Sequence, residues 1–324
     1  MKILIYGGGA VGLGIGSCLI KSGVSLDIIA RPNTVKCLLQ EGLRRTGIFG
    51  DYVASPTQFN SYTNIDSLPK TDYDYILIMS KAYDVEPLCK ALFFSKSLNP
   101  INTKIIIFNN GWGTHEIVSQ FTNKTNIYNA RVITGFIRNK PNKVDITVHA
   151  DAIHIGSLYN TDNLFETSTL SKLINDGGIP CESVSDIMAD LWAKMLYNCA
   201  LNPLGAILEV NYGELGEHSG TRSIMENVIQ ETFDVMIALG YHTHWTSVEN
   251  YISSFYSTFL PSTYAHNSSM LQDICAGKKT EIDFLNGVIV EGAKKTHQIA
   301  CTNSLLRELI KFKEVTGACS KTRL

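Results

Sequence analysis

The chain has 324 residues, of which 44% are hydrophobic and 18% charged, with a formal net charge of −2. This length and apolar content suffice for a sizeable core and indicate two folded domains rather than a disordered chain. The small net charge argues against a nucleic-acid surface or an anionic-membrane surface. The eight cysteines show no CxxC pair and no zinc-type spacing. We therefore expect no metal site, mostly buried thiols and a reducing cytoplasmic location.

The first 30 residues predict a strand, a helix and a second strand. Residues 3–6 are a short apolar run, residues 11–21 are compatible with a helix that Ser22 and Gly23 end, and residues 25–30 form the next run. Six glycines between residues 7 and 16 disfavour a signal peptide or a membrane helix here. Apolar runs at 75–79 and 104–108 continue the pattern. Together they predict a Rossmann-type α/β domain with a doubly wound, mostly parallel sheet.

The second half of the chain has a different pattern. Residues 143–148 and 152–155 are expected to add strands at the far side of the sheet, and residues 157–171, rich in Ser, Thr and Asn, to form an exposed connection. After about residue 185 the segments look helical, namely 187–208, 221–239, 247–259, 280–295 and 304–314. We therefore predict a Rossmann-type domain over residues 1–185, which includes the glycine-rich turn, and an all-α domain over residues 186–324.

The glycines after the first strand have the spacing of a dinucleotide-binding turn. In Gly7-x-Gly9-x-x-Gly12 the first glycine permits a tight turn, the second lets a pyrophosphate approach the backbone, and the third lets the helix pack closely on the strand. The N–H groups of the helix N-terminus then face the anion. The predicted nucleotide turn consists of Gly7, Gly8, Gly9, Ala10, Val11 and Gly12.

The residue at the end of the second strand distinguishes NAD from NADP. An acidic side chain there binds the ribose hydroxyls of NAD, whereas an arginine accommodates the 2′-phosphate of NADP. The strand ends in Ala30 and Arg31, and Asp27 lies too early for the ribose role, so NADP is favoured. Lys81 follows the third apolar run, where it would meet phosphate or substrate or be an ordinary surface lysine.

Lys194, Asn198 and Asn202 are spaced four residues apart. On a helix these residues share one face. Their apolar neighbours indicate a partly buried cavity, in which the charged form of a lysine is disfavoured and the lysine can donate a proton near neutral pH. The spacing predicts a general acid, with a solvated lysine on an amphipathic helix as the alternative.

Two further motifs each leave two interpretations open. Asn110 and Gly111 follow the fourth strand, where the amide suits the nicotinamide or a substrate carbonyl and the dipeptide also suits a plain turn. Thr280 and Asp283 have the spacing of a capping-box variant, which would place Glu281 in a first helical turn. There Glu281 would orient a hydroxyl or the lysine, or simply stabilise the helix.

Taken in order, these motifs resemble the ketopantoate reductase family over nearly the whole chain. The resemblance also includes Lys-x-x-x-Asn-Cys-x-x-Asn-Pro at residues 194–203 and Ser-Ser-Met-x-x-Asp at residues 268–273. It implies NADPH-dependent reduction of 2-dehydropantoate (ketopantoate) to pantoate, on the route to pantothenate and coenzyme A. It further implies Lys194 as general acid, Glu281 as a substrate-orienting carboxylate, Arg31 and Lys81 as cofactor ligands, and a nicotinamide-binding or substrate-binding role for Asn110, Asn198, Asn202 and Ser269.

Three residues depart from the family pattern. Asn109 stands where members often carry histidine, Trp112 is bulkier than its usual counterpart, and Tyr197 lies close to the predicted acid. These changes leave another small 2-oxo acid open as the substrate, and a non-catalytic NADPH sensor is the alternative from a different class. The partner we expect is a small 2-oxo acid, with no nucleic acid and no membrane, and a homodimer is left open.

Overall fold

The computed structural model describes residues 1–96, 98, 100–161 and 164–317. It contains two compact units: residues 1–109 with 114–187, and residues 110–113 with 188–324. Residues 110–113 therefore belong to the second unit although their chain neighbours belong to the first. Among the described residues, no helix combines the length and hydropathy needed to cross a membrane, and no three metal-binding side chains gather at one place.

The first unit is an α/β domain, as predicted. Its described strands are β1 (Lys2–Tyr6), β2 (Ser25–Ile29), β3 (Leu43–Gly47), β4 (Tyr52–Ala54), β5 (Asn60–Tyr62), β6 (Tyr75–Ile78), β7 (Lys104–Ile107), β8 (Ile127–Arg131), β9 (Thr134–Lys140), β10 (Lys143–His149), β11 (Ile153–Gly156) and β12 (Cys181–Ser183). Eight of them form the main sheet in the order β12-β11-β8-β7-β6-β1-β2-β5. Every pairing in that sheet is parallel except β8 with β11.

Helices cover both faces of the main sheet. They are α1 (Ala10–Lys21), α2 (Pro32–Glu41), α3 (Val85–Phe93), α4 (Thr114–Val118) and α5 (Phe165–Asp176). Strand β1 shows why two layers are needed: Ile3 and Ile5 join one buried cluster and Leu4 the other. Alternate side chains of a strand point to opposite faces, so an apolar run must be covered on both. Four of the six described free cysteines are buried, Cys18, Cys89, Cys181 and Cys199.

The expectation that residues 143–148 lie at the far side of the main sheet is wrong. This segment is β10, which belongs to a second sheet with the order β4-β3-β10-β9. β10 pairs with β9 in a tight antiparallel hairpin, and their half-exposed side chains suit a sheet with one covered face. Helix α1 contacts all four strands of the small sheet as well as β1 and β2 of the main sheet. The other predicted strand, now β11, lies in the main sheet.

Residues 157–171 are not an exposed connection throughout, contrary to the prediction. Helix α5 begins at Phe165 and buries Thr167, Leu170, Ser171 and Ile174. These residues follow the i, i+3, i+4, i+7 spacing of a helix face. The polar composition concealed that spacing because two of the four buried residues are Thr and Ser.

The second unit is helical, which confirms the predicted all-α domain. Its helices are α6 (Ile187–Leu208), α7 (Tyr212–Glu217), α8 (Ser219–Ala238), α9 (Val248–Ser254), α10 (Leu260–Ser262), α11 (Ser269–Cys275), α12 (Asn286–Thr296) and α13 (Cys301–Thr316), with a π-helical turn at Phe255–Phe259 and a 3-10 turn at Ile282–Phe284. The predicted helix over 280–295 is therefore wrong at its start, because regular α-helix begins only at Asn286.

Candidate functional site

The glycine-rich turn joins β1 to α1. Gly7 has φ +125°, and a Cβ there would lie 2.5 Å from the Met79 carbonyl carbon. A Cβ on Gly12 would lie 2.0 Å from the Gly7 oxygen, so only glycine lets the helix approach the strand this closely. A Cβ on Gly9 would meet nothing within 4 Å. Gly9 therefore borders open space, beside the uncapped N-terminus of α1.

The other predicted cofactor residues follow strand ends of the same sheet. Arg31 is exposed and is the N-cap of α2, two residues after β2. Lys81 is half-buried and begins a short 3-10 turn after β6. The carboxyl ends of parallel strands are where ligands bind in doubly wound folds. The predicted roles of the glycine turn, Arg31 and Lys81 stay predictions.

Asn109 follows β7 and is buried. Its Nδ2 donates a hydrogen bond to the Ser80 carbonyl, which fixes the orientation of the amide. Its Oδ1 is buried without a partner among the described residues. A buried acceptor left unpaired costs free energy, so this oxygen suits an N–H group of a ligand.

In the second unit, Lys194 and Asn110 are in direct contact although 84 residues separate them in the sequence. The Lys194 ammonium donates a hydrogen bond of 2.6 Å to Asn110 Oδ1. Lys194 is half-buried on α6, in the second turn of that helix. The bond fixes the Nζ position, and the interaction is one that sequence spacing alone does not predict.

Asn198 and Asn202 lie on α6 after Lys194, and both are buried. Asn202 Oδ1 accepts a bond of 2.5 Å from the Tyr212 hydroxyl. The Asn202 backbone oxygen accepts a bond of 3.2 Å from Ser268. Among the described residues, the Asn198 amide and Asn202 Nδ2 have no hydrogen-bond partner. The predicted polar stripe is therefore present, partly buried, with amide groups able to bind a polar ligand.

Ser268 and the predicted substrate residue Ser269 have different environments. Ser268 is fully buried, caps α11 by accepting from Leu271 N–H at 3.0 Å, and ties that helix to α6. Ser269 is half-buried at the first position of α11. Ser268 thus has a structural role, and a ligand-binding role for Ser269 stays a prediction.

The turn at residues 110–113 is held within the helical unit by its backbone and by Trp112. The Trp112 N–H donates to the Phe284 carbonyl at 2.9 Å. The Trp112 ring is 4% exposed and lies 5.1 Å from Trp192 and 4.8 Å from Tyr241, measured between ring centroids. The bulky Trp112 is therefore an anchor for the turn that carries Asn110, a role that no motif in the sequence indicates.

The predicted capping box around Glu281 is wrong. Both the N–H and the hydroxyl of Thr280 bond to Glu314 at 2.7 Å, and Asp283 pairs with Lys311 at 2.5 Å and Arg307 at 3.1 Å. Thr280 Oγ1 also accepts a local hydrogen bond from the Ile282 N–H at 3.2 Å, but the reciprocal Thr280–Asp283 bonds of a capping box give way to these distant partners on α13. Glu281 is buried and precedes a single 3-10 turn rather than standing in an α-helical first turn.

The Glu281 loop and the Asn110 turn are joined through Phe284. The Phe284 carbonyl accepts from Trp112 N–H, and its N–H donates to the Glu281 carbonyl at 2.9 Å. Asn286, two residues further on, donates to the Cys199 carbonyl of α6 at 3.0 Å. The structure thus brings the segments of Lys194, Asn110 and Glu281 together in one unit. Tyr212 carries no sequence signal of this contact, since nothing in its surroundings marks it as a partner of Asn202.

Comparisons with known proteins follow this division of the chain. The family model for ketopantoate reductase PanE/ApbA matches residues 3–160. The model for the ketopantoate reductase PanE/ApbA C terminal matches residues 186–314.

Relatives match the chain over nearly its full length. The 2-dehydropantoate 2-reductase of Aquifex aeolicus is 34% identical over 97% of this chain and 97% of its own length. That of Pyrococcus horikoshii is 29% identical over 99% of this chain and 100% of its own. Among solved structures, a PanE/ApbA family ketopantoate reductase from Ralstonia eutropha is 25% identical with a TM-score of 0.83, covering 98% of this chain and 99% of that chain. A complex of D-mandelate dehydrogenase with NADH has the same identity of 25% and TM-score of 0.83, covering 98% of this chain and 100% of that chain.

Proposed function

Because the chain belongs to the ketopantoate reductase family, we propose that it reduces the C2 ketone of 2-dehydropantoate with NADPH, with Lys194 as the general acid. Family membership makes the chain an oxidoreductase acting on a CH–OH group, as predicted, and the family uses a pyridine nucleotide. The product is pantoate, on the route to pantothenate and coenzyme A. The observation that carries the proposal is the 2.6 Å bond that holds Lys194 Nζ on Asn110.

The first unit has features that fit a dinucleotide. A side chain at position 9 would fill the open space beside Gly9. A bound pyrophosphate needs that space in order to approach the backbone. Arg31 stands where a 2′-phosphate is recognised, and Lys81 supplies a second cation at the same edge of the sheet. Asn109 Oδ1 is an unpaired acceptor suited to the nicotinamide carboxamide. When bound, the reduced nicotinamide supplies the hydride for C2.

Lys194 supplies the proton that balances this hydride. As C2 becomes tetrahedral, negative charge grows on the ketone oxygen, and Lys194 Nζ donates a proton to it to form the C2 hydroxyl. An ammonium carries three N–H donors, so it can bond Asn110 and a ketone oxygen at the same time. Solvent then returns a proton to the amine.

The remaining polar groups of the helical unit suit substrate binding. The amides of Asn198 and Asn202 and the hydroxyl of Ser269 bind the carboxylate and hydroxyl of the 2-oxo acid in this proposal. Tyr212 orients Asn202, since it occupies Oδ1 and leaves Nδ2 to donate. The buried carboxylate of Glu281 orients the substrate hydroxyl.

Replacement of the acid tests the proposal. Lys194→Ala is expected to lower kcat by about 10² to 10⁴, because a positioned acid contributes that much. The Kd for NADPH, measured by fluorescence titration, stays near that of the wild type. Lys294→Ala is a matched control, since Lys294 is an exposed lysine on another helix of the same unit. Wild-type turnover in Lys194→Ala would show that Lys194 is not the acid.

Another small 2-oxo acid is the second candidate substrate. The D-mandelate dehydrogenase structure shows that this fold serves another oxidoreductase, one solved with NADH. Asn109, Trp112 and Tyr197 depart from the family pattern, so a different small 2-oxo acid is the alternative substrate. Turnover rates with a panel of 2-oxo acids distinguish 2-dehydropantoate from another 2-oxo acid as the substrate. Binding of NADPH without turnover of any of them would favour a non-catalytic NADPH sensor.

A further inference from the structure

Arg138 lies beside the nucleotide turn although it belongs to the small sheet. Its Nη1 donates to the Gly8 carbonyl at 3.1 Å and to Thr34 Oγ1 at 3.2 Å. Gly8 packs against Ala30, since a Cβ on Gly8 would lie 2.5 Å from the Ala30 Cβ. Thr34 is in the first turn of α2, the helix that Arg31 caps. Arg138 therefore contacts both segments that flank Arg31.

The packing of β9 on α1 places Arg138 there. Phe136 lies against Gly14, where a Cβ would come within 2.3 Å of the phenyl ring. Residues two apart on a strand share a face, so Arg138 leaves β9 on the same side as Phe136. The missing side chain at Gly14 thus lets this strand approach the nucleotide turn.

Arg138 and Arg31 form a pair of like charges. Although Arg138 as a whole residue is exposed, partial desolvation of its guanidinium and, after it, the positive charge of Arg31 lower the pKa of Arg138. Neither arginine has an ion pair with a carboxylate in the described part of the chain. Nη1 makes both hydrogen bonds of Arg138, so Nε and Nη2 keep their N–H donors for a planar, two-bond contact with an anion.

We propose that Arg138 binds the 2′-phosphate of NADP together with Arg31 and so contributes to the choice of NADPH over NADH. This inference rests on the nucleotide site of the proposed function. The pyrophosphate belongs at Gly9 and the N-terminus of α1, whereas the 2′-phosphate belongs at the end of β2. The Thr34 bond and the proximity of Arg31 place Arg138 on the β2 side. A dianion there relieves the repulsion between the two guanidiniums.

Two adenosine nucleotides that differ by the 2′-phosphate test this assignment. We would measure the Kd of adenosine 2′,5′-bisphosphate and of adenosine 5′-phosphate by calorimetry, and of NADPH and NADH by fluorescence. Arg138→Gln removes the charge but keeps an N–H donor for Gly8. It is expected to weaken adenosine 2′,5′-bisphosphate and NADPH about tenfold, while the two ligands without the 2′-phosphate change less than about twofold. Lys140→Gln makes the same charge change at an exposed position of the same strand and should alter none of the four.

Arg138→Lys separates the effect of the positive charge from that of the planar guanidinium geometry. The variant keeps the charge but loses the planar fork of N–H donors, so it should retain more of the preference for NADPH over NADH than Arg138→Gln does. Equal weakening of all four ligands by Arg138→Gln would instead assign Arg138 to the pyrophosphate or to support of the turn. An unchanged preference for NADPH would refute the role of Arg138 and leave the NADPH proposal intact. A wild type that binds NADPH no better than NADH would refute both.

Discussion

Gly111→Ala tests whether the turn at residues 110–113 positions Lys194, the proposed general acid. Gly111 has φ +92°, and a Cβ there would lie 2.2 Å from the Phe284 oxygen, 0.8 Å short of the 3.0 Å that real contacts respect. The turn must therefore move away from Phe284. That movement weakens the hydrogen bond from the Trp112 backbone N–H to the Phe284 carbonyl, which is worth about 1 kcal/mol. It also moves Asn110 away from Lys194.

Gly113→Ala is the matched control. Gly113 has φ +97° but open space, with no atom within 4 Å of its Cβ position. Both variants incur the backbone strain of a non-glycine residue at positive φ, about 1–3 kcal/mol. Only Gly111→Ala adds the collision, so it should be less stable than Gly113→Ala by about 1 kcal/mol or more.

The activity difference should be larger than the stability difference. A displacement of nearly 1 Å at a catalytic group costs up to about 10²-fold in rate. We expect kcat for NADPH oxidation with 2-dehydropantoate to fall by that order in Gly111→Ala and to change little in Gly113→Ala. Steady-state kinetics and thermal unfolding measure both effects. Equal kcat and equal melting temperature in the two variants would refute the positioning of Lys194 by this turn.

The remaining predictions concern the nucleotide turn, pH and substrate binding. Gly9→Ala should leave the melting temperature unchanged but weaken NADPH binding. In Gly12→Ala the Cβ would lie 2.0 Å from the Gly7 oxygen, so both the melting temperature and the affinity for NADPH should fall. Equal melting temperatures of the two variants would contradict this. Burial and, secondarily, Lys124 lower the pKa of His115 to about 4. The folded protein holds His115 neutral, so this residue imposes no cost on the free energy of unfolding above about pH 6.5. As the pH falls toward 4 the unfolded chain binds a proton that the folded protein does not, and stability is lost by at most about 3 kcal/mol. Denaturant unfolding at about pH 7 and pH 4.5 should show a smaller loss in His115→Gln than in the wild type. Tyr212→Phe removes the hydrogen bond to Asn202 Oδ1 and should raise KM severalfold with a smaller effect on kcat. An unchanged KM would show that Tyr212 does not orient Asn202 for substrate binding.

The parts of the fold that the sequence predicts correctly are those governed by local patterns. The strand, glycine turn and helix at residues 2–21 follow from one apolar run and the spacing of Gly7, Gly9 and Gly12. The polar stripe of α6 follows from four-residue spacing, so Asn198 and Asn202 are buried as expected. Such signals need only neighbours in sequence.

The errors arise where distant contacts override local ones. Thr280 was expected to cap a helix with Asp283, but Glu314 and Lys311 on α13 bind those side chains instead. The position of β10 in a second sheet depends on pairing with β3, some 100 residues earlier. For the same reason the bond from Lys194 to Asn110 and the approach of Arg138 to Gly8 have no sequence signature.

The most direct test of the proposed function is the loss of NADPH absorbance with purified protein and 2-dehydropantoate, run beside NADH and a panel of 2-oxo acids. We predict rapid turnover that is selective for NADPH and for 2-dehydropantoate. Tight binding of NADPH without turnover of any 2-oxo acid would contradict the assignment of Lys194 and the proposed reaction.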